Sequence, residues 1–177
     1  MVKTFKNEFE KKIIDLGLSY RRNGDDFYSI LIHIGGRNHI EVQLEVSLQP
    51  VMHIHGSKNG VDVQAIGVFM FKFPFSGNEP DLFIFALRNL IKPQSEFIII
   101  PKDELLSRLA SKNPGRVHRS RVEMVFWVLE DGFVYDATHL SPEGEWYFLS
   151  PCVNGRMADG TDFDYSEYMN NWRRLIV

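Results

Sequence analysis

The chain has 177 residues, 44% of them hydrophobic and 24% charged, which suits one self-sufficient core and argues against disorder over most of its length. A net charge of −3 excludes a global electropositive field, so contact with nucleic acid has to come from a local basic patch. Cys152 is the single cysteine, which excludes an internal disulfide; with no apolar h-region in MVKTFKNEFEKK and no run near the roughly 20 apolar residues of a membrane span, the expectation is a cytoplasmic protein without a membrane partner.

Phe5, Phe9, Ile13 and Leu16 recur at helical spacing opposite Lys6, Glu10, Lys11 and Lys12, which predicts an amphipathic helix over 4–17 stopping near Gly17. FYSILIHI at 27–34 reads as a strand. In the next segment Ile40, Val42, Leu44, Val46 and Leu48 alternate with Glu41, Gln43, Glu45 and Ser47, the pattern of a half-buried strand. The Gly-Gly-Arg-Asn link makes 27–48 an antiparallel hairpin. Pro50 ends it. His53 and His55 lie two apart, on one face of any extended segment; that spacing suits two metal ligands in a β-rich metal-binding or small-molecule-binding protein, and equally two surface imidazoles.

The densest apolar stretch runs from Val61 to Pro101 and predicts the centre of the sheet. Val61 to Phe73 reads as strand with an interruption at Gly67, a bulge or a turn between two shorter strands. LFIFALR at 82–88 and EFIIIP at 96–101 read as buried strands. Asp103 caps a helix with Leu105, Leu106 and Leu109 on its inner face, and Asn113-Pro114-Gly115 stops it. Residues 116–150 return to β character in RVEMVFWVLE, GFVYDA and EWYFL, the first two joined through Asp131-Gly132. After a loop-rich 150–162, Asp164 and Glu167 form a capping-box variant before a helix with Tyr165, Tyr168, Met169, Trp172 and Ile176 on its apolar face. The expected architecture is one α+β domain over 1–177, with a central mixed β-sheet flanked by helices and an additional β-rich segment near 116–150.

The sequence holds no G-x-S-x-G elbow, Walker A loop or G-x-G-x-x-G fingerprint, and Cys152 has no base placed beside it. A Mg²⁺-assisted phosphodiester site needs carboxylates on adjoining strands and a lysine on the same face. Asp62 and Lys72 meet that need if the chain folds back near Gly67, with Glu41 and Glu45 projecting from the neighbouring strand. The same residues also read as a turn aspartate, a sheet-edge lysine and solvated glutamates.

The order of these elements is similar to that of a known family. An opening helix with acids, a V-D-V strand, a strand ending in Lys72, then PDLFIFAL, EFIIIPKDELLSRL and YSEYMNNWRRL resemble PD-(D/E)XK restriction-endonuclease-like proteins, most densely over 61–109 and 165–175. The resemblance implies a restriction-endonuclease-like fold in which Asp62 starts the second core strand and Lys72 ends an acid-x-Lys triplet. It implies Mg²⁺ as cofactor, held by Asp62 and a second acid, and Lys72 assisting attack on the phosphate. Met70 stands where the triplet requires an acid; Glu45, Glu8 and Asp81 are the candidate replacements, and a catalytically inactive interaction module of the same fold is the alternative. Arg116, His118, Arg119 and Arg121, close to Phe126 and Trp127, and Arg173-Arg174 beside Trp172 supply cations for phosphates and rings for bases. A solvated charged turn leading into a core strand explains the same residues, and a basic patch of that kind also suits an acidic protein partner.

Overall fold

The computed structural model describes residues 2–34, 37–47, 63–72, 80–89, 91–111, 121–130, 132–136 and 164–176. The expected opening helix is present as α1 (Val2–Asp15), with Phe5, Phe9 and Ile13 fully inside. Its end follows from local bonding: Gly17 takes φ +73, its N–H donates to the Ile14 carbonyl at 2.9 Å, and the Leu18 N–H donates to the Ile13 carbonyl at 3.1 Å. Those two bonds satisfy carbonyls that the last turn leaves free, and the left-handed backbone they require favours glycine.

Strands β1 (Ser19–Arg22), β2 (Phe27–Ile34) and β3 (Arg37–Val46) form an antiparallel meander, with the expected β2–β3 hairpin in a register that pairs Ser29 with Glu41 and Phe27 with Gln43. β4 (Val63–Lys72), β5 (Leu82–Asn89) and β6 (Ser95–Pro101) follow. Helix α2 (Lys102–Ser111) starts directly after β6, then come β7 (Arg121–Leu129) and the short β8 (Val134–Asp136). The β-rich stretch expected after residue 116 is therefore present in β7 and β8; EWYFL at 145–149 and the 150–162 loop lie outside the described residues. Asp103 sits one residue inside α2, in its first turn, where its charge favours the positive helix end.

The chain is α+β with a mixed, mostly antiparallel sheet ordered β1-β2-β3-β5-β4-β7-β8, and β6 on the other side of β5. Its parallel pair is β3 with β5, Val42 to Val46 against Leu82 to Ala86. One edge of β5 forks: its first five residues bond to β3, whereas Arg88 and Asn89 bond to Ile66 and Ala65 of β4. Past that fork β4 crosses one face of β5, and Phe69 and Phe71 pack on Phe85 with ring centroids 5.0 and 5.8 Å apart.

This fork explains why the apolar runs are continuous rather than alternating. Phe83, Phe85 and Leu87 face a core shared with β4, β7, β8 and α2, while Leu82, Ile84 and Ala86 face a second core under α1. β6 divides the same way, Ile98 and Ile100 to the first core, Phe97 and Ile99 to the second. A strand covered on both faces has no polar face to display.

Two expectations change. Val63 to Lys72 is one strand, paired with β7 along its length, so no turn occurs at Gly67; the irregularity in the ladder falls between Val63 and Ala65. Gly67 instead answers a close approach, since a Cβ there would lie 2.5 Å from Phe69 Cε2 and 2.8 Å from Leu87 Cδ2. The C-terminal segment is not one helix but two 3₁₀ turns, Ser166–Tyr168 and Trp172–Leu175. The backbone beside these turns bonds to strand edges: before the first turn the Tyr165 N–H donates to the Val134 carbonyl, with a bridge at Asp164–Tyr135, and between the two the Asn170 N–H donates to the Phe97 carbonyl, with a bridge at Met169–Ile98. Asn170 takes φ 48 to make that passage. The segment thereby links the edges of β8 and β6 alongside the first core. Edge pairing and helix bonding compete for the same N–H groups, and here the edges win.

Candidate functional site

Asp62 lies outside the described residues. Its neighbour Val63 and the candidate Lys72 occupy opposite ends of β4, about 30 Å apart at the rise of an extended strand. The fold-back expected to unite residues 62 and 72 therefore has no counterpart in β4. Met70, at the acid position of the triplet, is 44% exposed, opposite Glu123 of β7.

Around β3 the structure gathers polar residues. Glu41 accepts from Ser29 Oγ at 2.6 Å and from Asn23 Nδ2 at 3.2 Å, and His39 Nε2 stands 3.3 Å from the same carboxylate. Its backbone N–H donates to Asp81 Oδ2 at 3.0 Å, and the Asp81 N–H returns a bond to the Glu41 carbonyl at 2.8 Å. Asp81 thus ties the start of β5 to β3, a structural task. Glu8, the third candidate acid, accepts from the Ser95 N–H at 2.8 Å and ties α1 to β6.

Glu45 differs from these. The parallel register sets it beside Phe85, on the face that β4 crosses. Burial pushes its carboxyl up to about 7 from 4.5, opposed by a hydrogen bond from Gln43 Nε2 and reinforced by the nearby negative charge of Asp26. The Ser47 hydroxyl accepts from the Val68 N–H at 3.0 Å, which anchors β4 against β3. From that point β4 runs antiparallel to β3, carrying Lys72 toward the Glu45 end and Val63 away from it.

Among the described residues no group of three or more His, Cys, Asp and Glu gathers as a metal ion would require. Within that set, Asp26 lies near enough for its negative charge to raise the Glu45 carboxyl further. His53, His55 and Cys152 lie outside the described residues, as do Arg116 and Arg119. The β4–β7 register pairs Lys72 directly with Arg121, a juxtaposition that sequence spacing of 49 positions does not suggest. Arg173 is exposed on the second 3₁₀ turn, whereas Arg174 is engaged by Glu104 at 2.8 Å and lies over the Tyr168 ring.

Sequence reasoning missed Asp26, Asn23 and Ser29, which read as parts of a turn and a strand and become neighbours of β3 only through the hairpin register. The alternation of residues 40–48 and a single assumption about the hairpin link contain that signal. No family model, curated protein or solved structure matches the chain. No helix among the described residues is long and apolar enough to cross a membrane.

Proposed function

We propose that the protein is a nucleic-acid-binding module of the restriction-endonuclease-like class in which Lys72 contacts phosphate. The observation that carries this reading is the pairing of Lys72 with Arg121, which joins the lysine of the acid-x-Lys position to the stretch holding Arg116, Arg119 and Arg121. Cations gathered at one end of a ladder bind backbone phosphates irrespective of sequence. Support for the fold class comes from α1 packed on a mixed sheet whose parallel pair, β3 and β5, lies among antiparallel neighbours. An exposed Met70 in place of an acid favours binding over cleavage.

The test is fluorescence anisotropy with labelled single-stranded DNA, duplex DNA and RNA at two salt concentrations. Wild type binds at least one of them, and Lys72→Ala with Arg121→Ala weakens that binding about tenfold and lowers the salt slope by about 2. Wild type without affinity for any of the three, or a double variant with unchanged slope, refutes the reading; capture of an acidic protein in its place identifies the other partner class.

Metal-dependent phosphodiester hydrolysis is the second reading, favoured by Glu45, a half-buried carboxyl near the negative charge of Asp26. Glu45 would be one Mg²⁺ ligand and Asp62 the other named by the family resemblance. The bound cation supplies Lewis-acid stabilisation of the phosphate. Plasmid nicking in Mg²⁺ or Mn²⁺ that is lost in both Glu45→Gln and Lys72→Ala supports cleavage. Absence of nicking leaves the binding reading alone.

A further inference from the structure

The β5–β6 hairpin is tied down by side chains that the nucleic-acid reading does not use. Asn89 is 3% exposed; its Oδ1 accepts from the N–H groups of Ile91 at 2.8 Å and Lys92 at 2.7 Å, and its Nδ2 donates to Glu96 Oε1 at 2.8 Å. The other Glu96 oxygen accepts from Asn170 Nδ2 at 2.7 Å, and Glu8 fixes the Ser95 N–H from the α1 side. Helix and hairpin therefore enclose a cleft of about 410 Å³ with fixed walls, lined by Thr4, Phe5, Glu8, Arg88, Lys92 and Gln94 among others. Its volume falls within the range of small-ligand sites.

Two cations line that cleft against one carboxylate. Arg88 and Lys92 are both exposed, and among the described residues neither side chain has a hydrogen-bond or ion-pair partner. Glu8, the single acid in the lining, already accepts from a backbone N–H. The first turn of α1, which contributes Thr4 and Phe5 to the wall, contains no acidic residue to offset the positive helix end. One cation at the end of β5 and one on the braced loop hold an anion at small entropic cost, because the backbone that carries them is already ordered.

The geometry points to a phosphate-binding site in this cleft, held by Arg88 and Lys92. A guanidinium presents two parallel N–H donors to two phosphate oxygens, and the ammonium adds a point charge that a single carboxylate ligand would use less fully. The site is distinct from the Lys72–Arg121 end of the sheet. Arg88 pairs with Ile66, six residues from Lys72 on the same extended strand, about 20 Å away. The phosphate comes either from the 5′ end of a nucleic acid or from a small phosphorylated molecule.

The test is titration calorimetry of the full chain with inorganic phosphate, pyrophosphate, a mononucleotide, and one oligonucleotide carrying either a 5′-phosphate or a 5′-hydroxyl. Pyrophosphate binds wild type, and Arg88→Gln with Lys92→Gln weakens it at least tenfold. Preference for the 5′-phosphorylated oligonucleotide that disappears in the Arg88/Lys92 variant assigns the site to a nucleic-acid end. Tight binding of pyrophosphate or the mononucleotide with no such preference assigns it to a small molecule, and either result supports the site. No binding by wild type, or equal binding by the Arg88/Lys92 variant, overturns it. Both side chains are exposed, so the melting temperature without ligand stays near that of wild type; if the double variant does not fold, Lys92→Glu alone gives the same comparison. Salt-dependent binding through Lys72 and Arg121 is measured with the hydroxyl oligonucleotide, so either proposal can fail while the other stands.

Discussion

Replacing Glu45 by glutamine tests whether a carboxyl is held in a dry setting on the face of β3. Below pH 4.5 the Glu45 carboxyl is protonated in the folded and the unfolded chain alike, and the wild type loses nothing by burying it. Between about 4.5 and 7 the unfolded chain releases the proton while the folded chain keeps it, so stability falls as the pH rises, and above about 7 the whole difference has been lost. A displacement from 4.5 to about 7 corresponds to about 3 kcal/mol. Glutamine is nearly isosteric, keeps an oxygen to accept from Gln43, and does not ionise. The Glu45→Gln variant is therefore more stable than wild type by about 3 kcal/mol at pH 8.5, and the two converge to within about 1 kcal/mol near pH 5. For a chain of this size each kcal/mol moves the melting temperature by about 2–4 °C, so differential scanning calorimetry across that pH range reads the effect as a gap of about 6–12 °C that closes on acidification. A gap that does not change with pH, or a variant less stable than wild type at pH 8.5, would show that Glu45 reaches solvent and would remove the observation that favours the cleavage reading.

Three further substitutions probe the packing. Gly67→Ala places a methyl group 2.5 Å from a Phe69 ring carbon that is itself wedged between Phe85 and Phe126, and costs about 1–3 kcal/mol by urea denaturation; a neutral result would mean that β4 passes farther from Leu87. Asn89→Ala strips partners from two backbone N–H groups and from Glu96, costing about 2–3 kcal/mol, and faster amide exchange at Ile91 and Lys92 is the local signature. Arg108→Met removes a guanidinium 4.5 Å from the Tyr165 ring and 5.0 Å from the Tyr168 ring, together with a 2.9 Å bond to the Asp164 carbonyl. The expected loss is about 2 kcal/mol, with proteolysis setting in at the C-terminal segment before the rest of the chain; uniform cleavage would refute Arg108 as its clamp.

Periodicity and apolar density were enough to determine α1, the β2–β3 hairpin, the buried strands β5 and β6, helix α2 and the α+β class, because each of those signals is local. The alternation in residues 40–48 is written in adjacent positions, and the capping chemistry at Gly17 and the turn at Gly132 need nothing beyond a few neighbours. What the sequence left open was decided by pairings between distant segments. Gly67 looks like a break because glycine is usual in turns, yet its reason is Leu87 of β5, twenty positions on, whose methyl group occupies the space a Cβ would need. The C-terminal apolar pattern has helical spacing, but the unpaired edges of β6 and β8 take its N–H groups and draw it into bridges. The candidate site follows the same rule. Asp62 and Lys72 are ten positions apart in the chain, yet Val63, the residue after Asp62, and Lys72 are the two ends of one strand, while Lys72 and Arg121, 49 positions apart, stand opposite each other. Glu45 reads as a surface acid from its alternation, yet it is half-buried, on the face of β3 that the fork of β5 turns toward β4.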